Sequence, residues 1–276
     1  MKKDIRLIAL DLDGTLLDSG KNVTARTRAV LDECARRGII VMPATGRPAT
    51  GFPKVMEAVP GFRYALTSNG ALVYDYTDKK AIYEDLLSVE NALKLYAFSR
   101  NYDLMCDVYV DGNGYSETCK LESIRRYFAS ESMIEYVLST RISVDSMETF
   151  LRRPGLRGVE KMVLFFGDLS LQAMLLQDLR RFDFIRTTTA LVNNVEINNH
   201  SANKGDSLLR FGAQLGLTRD QIMACGDGLN DLDMIRAAGF GVAMANAVPE
   251  IRDAADHITL SNNEDGVAAV IEEFVL

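Results

Sequence analysis

Short apolar runs that stop abruptly at polar, often acidic, turns recur along this chain. Leu7–Leu10 reads LIAL and runs straight into Asp11, Asp13, Gly14 and Thr15. Ile39–Gly46 (IIVMPATG), Tyr64–Gly70 (YALTSNG) and Gln221–Gly228 (QIMACGDG) repeat the pattern. Such runs suit strands covered on both faces, as in a parallel sheet. Between the first two, residues 24–37 read as a helix. Thr24 can cap it, Val30, Leu31, Cys34 and Ala35 form its apolar face, and Gly38 ends it. Strand, helix, strand makes a βαβ unit. Near the C-terminus, DLDMIRAAG reads as a short helix closed by Gly239, FGVAM as a strand and Glu264–Phe274 as a last helix. The alternation predicts a doubly wound α/β domain with a mainly parallel, Rossmann-like sheet.

The middle of the chain breaks this rhythm. Asp103–Tyr115 reads as a hairpin with a Gly-Asn-Gly turn at 112–114. A helical stretch around Leu121–Leu138 follows, then the strand KMVLFF and the helix SLQAMLLQDLRRF. Residues 84–189 are therefore expected to form an inserted α+β domain, and 1–83 with 190–276 the core.

With 276 residues, the chain can form one large domain or two modest ones. A formal net charge of −7 argues against general nucleic-acid binding, which depends on Lys and Arg neutralising phosphates. Met1-Lys-Lys looks like the start of a signal peptide, but Arg6 interrupts the apolar segment and Asp11 ends it. No stretch approaches the roughly 18 uncharged apolar residues of a membrane span. A cytoplasmic protein with no membrane partner is the expectation. The four cysteines form no C-x-x-C pair, which removes the usual zinc and thioredoxin patterns. Only two histidines are present, so a three-His site is impossible and any metal should be a hard ion held by oxygen.

In doubly wound sheets, ligands bind at the carboxyl ends of the strands. Three strands here end in Asp11-Leu12-Asp13-Gly14-Thr15, in Thr45-Gly46-Arg47 and in Gly226-Asp227-Gly228-Leu229-Asn230-Asp231. Lys204 lies in the first turn of a further helix. If the strands are neighbours, Asp11, Asp13, Asp227 and Asp231 bring up to four carboxyl groups to one pocket. Like charges repel strongly there. A divalent cation resolves the conflict, and an all-oxygen donor set favours Mg2+. Thr45, nearby backbone amides and Lys204 suit a phosphate group. One carboxylate could attack phosphorus while a second moves protons. Arg47 could equally touch substrate or pair with an acid.

The chain resembles the haloacid dehalogenase superfamily, specifically the Cof-type phosphatases. Four motifs carry the likeness: DLDGT at 11–15, TGR at 45–47, the lysine of NKG at 203–205 and GDGLND at 226–231. The SNGA turn at 68–71 also looks like that family. The third motif falls where an inserted cap domain requires. The resemblance implies that Asp11 is a nucleophile and Mg2+ ligand. It makes Asp13 the general acid/base, binding metal through its backbone carbonyl. Asp227 would ligate the metal with Asp231 in support. Thr45, Gly46, Lys204 and Asn230 would hold phosphate, helped by the Leu12 amide. The expected activity is Mg2+-dependent hydrolysis of a phosphorylated small metabolite, a sugar phosphate or phosphorylated cofactor, through an aspartyl phosphate. A phosphomutase would use the same residues, and a non-enzymatic phosphate sensor would be expected to lack Asp11 or Asp13.

Overall fold

The structure is a computed structural model that describes residues 2–52, 56 and 59–276. The chain divides into two compact units. One comprises Met1–Arg47, Phe52–Glu84 and Asn203–Leu276; the other comprises Pro48–Gly51 and Asp85–Ala202.

In the first unit, the apolar runs become the strands of a five-stranded sheet. Its order is His257–Ile258, Phe240–Ala243, Ile222–Gly226, Leu7–Leu10, Ile40–Pro43, and every pairing is parallel. All four residues of the Leu7–Leu10 strand are fully buried, which is why that segment carries no alternation. The helix Ala25–Arg36 begins where expected: the Thr27 N–H donates to Thr24 Oγ1 at 3.1 Å. It packs with the helix Gly266–Phe274. The helix Lys204–Gln214 packs with Leu232–Ala237. The strand Tyr64–Thr67 meets the main sheet through one parallel bridge, Ala44 to Leu66. It then opens an antiparallel meander with Leu72–Asp75 and Lys80–Glu84.

The second unit is built on a six-stranded sheet in the order Ile185–Thr188, Asn194–Asn199, Lys161–Phe166, Leu104–Val110, Asn113–Glu117, Arg141–Val144. Only the last pair is parallel. Leu104, Cys106, Val108 and Val110 face one apolar cluster while Met105 and Tyr109 face another. Among the described residues, no helix is long and apolar enough to cross a membrane.

Three details differ from the sequence expectation. The hairpin turns at Asp111 and Gly112, not at Gly-Asn-Gly, because Val110 pairs with Asn113. Both turn residues take positive φ, 49° and 76°, which Asp-Gly accommodates well. The helical stretch at 121–138 is two helices, Thr118–Glu122 and Glu131–Thr140, separated by a single tight turn at Ile124–Arg126. Finally, Asn194–Asn199 lies on the core side of the expected boundary at 190. It pairs instead with Lys161–Phe166, so the second unit runs on to Ala202.

Candidate active site

Parallel pairing puts the carboxyl ends of neighbouring strands side by side. Leu10 is in register with Cys225, so Asp11 and Asp227 emerge together. The Asp11 N–H continues the ladder to the Cys225 carbonyl at 3.0 Å. A tight turn at Leu229–Asp231 then folds Asp231 back beneath the loop. Carboxylate oxygens of Asp11, Asp227 and Asp231 lie within 4.8 Å of one another.

Lys204 closes this cluster. It is the first residue of its helix, set by Asn203, whose Oδ1 accepts the Asp206 N–H at 2.8 Å. The Lys204 side chain is fully buried. Its Nζ donates to Asp11 Oδ1 at 2.8 Å and to Asp231 Oδ1 at 2.6 Å. Asp231 Oδ2 accepts the backbone N–H groups of Asp227 and Gly228, each at 3.0 Å. Thr15 Oγ1 donates to Asp227 Oδ1 at 2.7 Å. Gly14 makes this approach possible. Its φ is +91°, and a Cβ there would sit 2.3 Å from Asp227 Oδ2.

The electrostatics are unbalanced. Three carboxyl groups face one ammonium, so full ionisation would leave two negative charges uncompensated. Burial raises the Asp11 pKa, the Asp231 charge adds to the rise, and Lys204 only partly opposes it. Burial likewise lifts Asp227, to about 6, despite the Thr15 hydrogen bond. Burial alone would lower the Lys204 pKa, but Asp11 and Asp231 more than reverse that and hold it above its ordinary range. A cluster of carboxyl oxygens whose full ionisation needs two further positive charges fits a hard divalent cation. Asp11 and Asp227 are the residues whose charge such an ion would relieve.

Asp13 stands apart. The pocket of four carboxylates expected from the strand ends is a cluster of three, with the Asp13 carboxylate turned to a different pair of partners. Arg47 grips it by two bonds, Nε to Oδ2 and Nη2 to Oδ1, both 2.9 Å. Lys21 Nζ donates to Oδ1 at 2.7 Å. Burial works to raise the Asp13 pKa, but the hydrogen bonds from Arg47 and Lys21 outweigh it and hold the carboxyl below its ordinary value. Arg47 thus pairs with an acid, one of the two roles left open for it.

Of the remaining sequence candidates, Thr45 is buried and its Oγ1 accepts the Arg47 N–H at 3.2 Å. Leu12 is fully buried, whereas Gly46 and Asn230 are half-buried on their loops. Thr15 and Lys21 join the site through hydrogen bonds to Asp227 and Asp13. Thr15 had a signal in its motif, but nothing in the sequence around Lys21 set it apart from other surface lysines.

The turn Ser68-Asn69-Gly70 couples two of the loops. Ser68 N–H donates to the Arg47 carbonyl at 2.9 Å and Asn69 N–H to the Thr45 carbonyl at 3.2 Å. The Gly70 carbonyl accepts Ser207 Oγ at 2.7 Å from the Lys204 helix. All three turn residues have positive φ. A Cβ on Gly70, at φ +99°, would lie 2.3 Å from the Asn203 carbonyl oxygen. Gly70→Ala is expected to cost about 2–4 kcal/mol through strain and overpacking. Thermal denaturation checks this, and an unchanged Tm would remove the turn from the site's framework.

An open parallel sheet that gathers acids and a buried lysine at its strand ends defines an α/β protein with an oxygen-donor site. The chain belongs to the haloacid dehalogenase-like hydrolases, whose family model matches residues 8–271. YxeH of Bacillus subtilis is 30% identical, over 98% of this chain and 98% of its own length. B. subtilis YcsE, named a 5-amino-6-(5-phospho-D-ribitylamino)uracil phosphatase, is 27% identical over 99% of this chain and 97% of its own. A solved haloacid dehalogenase-like hydrolase from Bacteroides thetaiotaomicron is 30% identical, with a TM-score of 0.79 and coverage of 98% and 99%. Another from B. subtilis gives a TM-score of 0.83 at 24% identity, covering 98% and 100%, which supports the fold.

Proposed function

We propose that this protein is a phosphatase that hydrolyses phosphomonoesters of small metabolites with Mg2+ and an aspartyl-phosphate intermediate. The observation that carries the reading is the cluster of buried Asp11, Asp231 and Lys204 with half-buried Asp227. It offers a nucleophile, a cation and an oxygen-donor metal site in one place. Relatives named as phosphatases favour release of phosphate to water over its return to the substrate.

In this reading Asp11 attacks phosphorus and the ester oxygen departs. Water then cleaves the Asp11 acyl phosphate, regenerating the carboxylate and releasing phosphate. Lys204 holds Asp11 Oδ1 and faces the transferring group's charge. Thr45, Gly46, Asn230 and the Leu12 amide hold the phosphate oxygens. Asp13 gives a proton to the leaving oxygen and takes one from the attacking water. Its paired, charged form is suited to the second task, and the first requires the pair with Arg47 to loosen. Asp11, Asp227 and the Asp13 carbonyl would hold Mg2+, supported by Asp231. When bound, Mg2+ neutralises phosphate charge. The catalytic residues all belong to the first unit.

A screen of phosphorylated metabolites for phosphate release tests the activity. It should include 5-amino-6-(5-phospho-D-ribitylamino)uracil, for which YcsE is named. No release from any ester with Mg2+ present would overturn the reading.

The pKa shifts give the metal a signature independent of turnover. Asp227 titrates near 6 when folded, above its ordinary value of 3.8. Asp11 is also raised. A raised folded pKa means that the carboxyls' contribution to stability is present below about pH 4 and is lost as pH rises through the folded values. The metal-free protein should therefore lose stability between about pH 4 and pH 6, where Asp227 is ionised in the unfolded chain but still protonated in the folded one. Metal competes with those protons. The increase in Tm on adding MgCl2 is expected to be small at pH 5 and several degrees larger at pH 8. A shift that stays flat, or shrinks as pH rises, would contradict the metal assignment.

A further inference from the structure

We infer that Lys21 is a positioning residue for Asp13, a proposal that rests on the phosphatase reading. Three observations carry it. The first is the contact itself: Lys21 Nζ lies 2.7 Å from Asp13 Oδ1, the oxygen that also receives Arg47 Nη2. The second is conformation. Lys21 has φ +61°, a region that non-glycine residues enter rarely. The turn holds it there. Lys21 N–H donates to the Asp18 carbonyl at 2.9 Å, and Asn22 N–H to Asp18 Oδ1 at 2.8 Å. The third is anchoring. Asn246 Nδ2 donates to the Gly14 carbonyl at 2.8 Å, and Asn262 Nδ2 to the Leu17 carbonyl at 2.8 Å. Ser19 N–H donates to Asn263 Oδ1 at 2.9 Å. Three asparagines from the C-terminal segment thus fix the loop that runs from Asp13 to Lys21.

Stability does not account for this arrangement. The Lys21 and Asp13 side chains are 60% and 40% exposed, and ion pairs so exposed contribute little to folding. Positive-φ strain held in place by surrounding structure collects at functional sites. Arg47 supplies the reason a second cation is needed. Its guanidinium fork is the kind of group that binds phosphate oxygens. When Arg47 turns toward an arriving phosphate, Asp13 loses two of the three bonds from these cations, and the Lys21 bond remains. A half-exposed aspartate would otherwise sample several rotamers. Lys21 therefore keeps Asp13 aimed at the reacting oxygens while Arg47 is engaged elsewhere.

The test is a double-mutant cycle with para-nitrophenyl phosphate and an alkyl phosphate, using Lys21→Met, Lys21→Arg, Asp13→Asn and the double variant. Methionine keeps the length of the side chain and the same backbone cost at φ +61°, so Tm should not move. Lys21→Met is expected to lower kcat about tenfold with KM within about twofold, part of the roughly 10²–10⁴ that a general acid/base supplies. Lys21→Arg should restore most of the rate. In the Asp13→Asn background, Lys21→Met should change kcat no further, because its effect runs through Asp13. Additive losses in the double variant would overturn the inference. So would a raised KM with kcat intact, which makes Lys21 a direct substrate contact, or a gain in rate, which makes the pair a restraint. If the parent hydrolyses neither ester, the cycle is run on the best substrate of the metabolite screen; no hydrolysis of any ester there sinks the phosphatase reading and this inference with it, whereas an active parent with an additive cycle sinks the inference alone.

Discussion

Asp11→Asn should abolish turnover and phosphoenzyme formation while leaving the fold intact. The amide keeps the shape of the side chain and can still accept the Lys204 ammonium, which donates to Oδ1 at 2.8 Å. It cannot attack phosphorus. Removing the nucleophile of an enzyme that works through a covalent intermediate lowers kcat by factors on the order of 10⁶. The stability effect should run the other way. Burial and the Asp231 charge disfavour the ionised form of Asp11, so a neutral amide relieves repulsion. In the absence of Mg2+, the variant's Tm at pH 8 should equal or exceed the parent's. Asp13→Asn keeps the nucleophile and should lose about 10²–10⁴ in rate through impaired proton transfer. Rapid-quench labelling separates the two, with phosphoenzyme absent in the first variant and present in the second. Equal labelling of both would refute the assignment of roles.

Lys204→Ala is the second large effect, and it acts on both folding and rate. Lys204 is fully buried between Asp11 and Asp231, at 2.8 and 2.6 Å. Removing one partner from a buried ion pair leaves uncompensated charge and costs roughly 3–5 kcal/mol. The transition state should lose about 3 kcal/mol more, the typical cost of deleting one electrostatic donor. Chemical denaturation measures the first loss, and kcat of the folded protein at saturating Mg2+ measures the second. Because the stability loss comes from stranded carboxylates, adding Asp11→Asn to Lys204→Ala should recover part of it. If the double variant were less stable than Lys204→Ala alone, the charge argument would fail.

Much of the first unit could be read from the sequence for a local reason. A strand buried on both faces must be apolar throughout, and residues that bind charge must follow it where the strand ends. Leu7–Leu10 followed by Asp11, and Ile222–Gly226 followed by Asp227, carry that signal within a few residues. Thr24 and Gly38 bracket the first helix by equally local chemistry. The second unit was less legible because its strands have mixed faces. Leu104–Val110 includes buried Asp107 on a face with Met105 and Tyr109, and Asp107 is stabilised by Arg141 from a distant strand, Nε to Oδ2 at 2.6 Å. Lys161 and Glu196, 3.0 Å apart, do the same between two other strands. Asn194–Asn199 reads as polar, and only its pairing with Lys161–Phe166 shows where it belongs.

The candidate site divides along the same line. The sequence by itself determined which residue types stand at the strand ends, and so the acidic, oxygen-donor character of the site. Tertiary structure decided how those acids are shared out: three of them around a buried Lys204, and Asp13 drawn away to Arg47 and Lys21. Sequence spacing limits which way a side chain can start, but its final partner is the nearest opposite charge. Lys204 is 193 positions from Asp11, and Arg47 is 34 from Asp13, so folding alone brings each pair together.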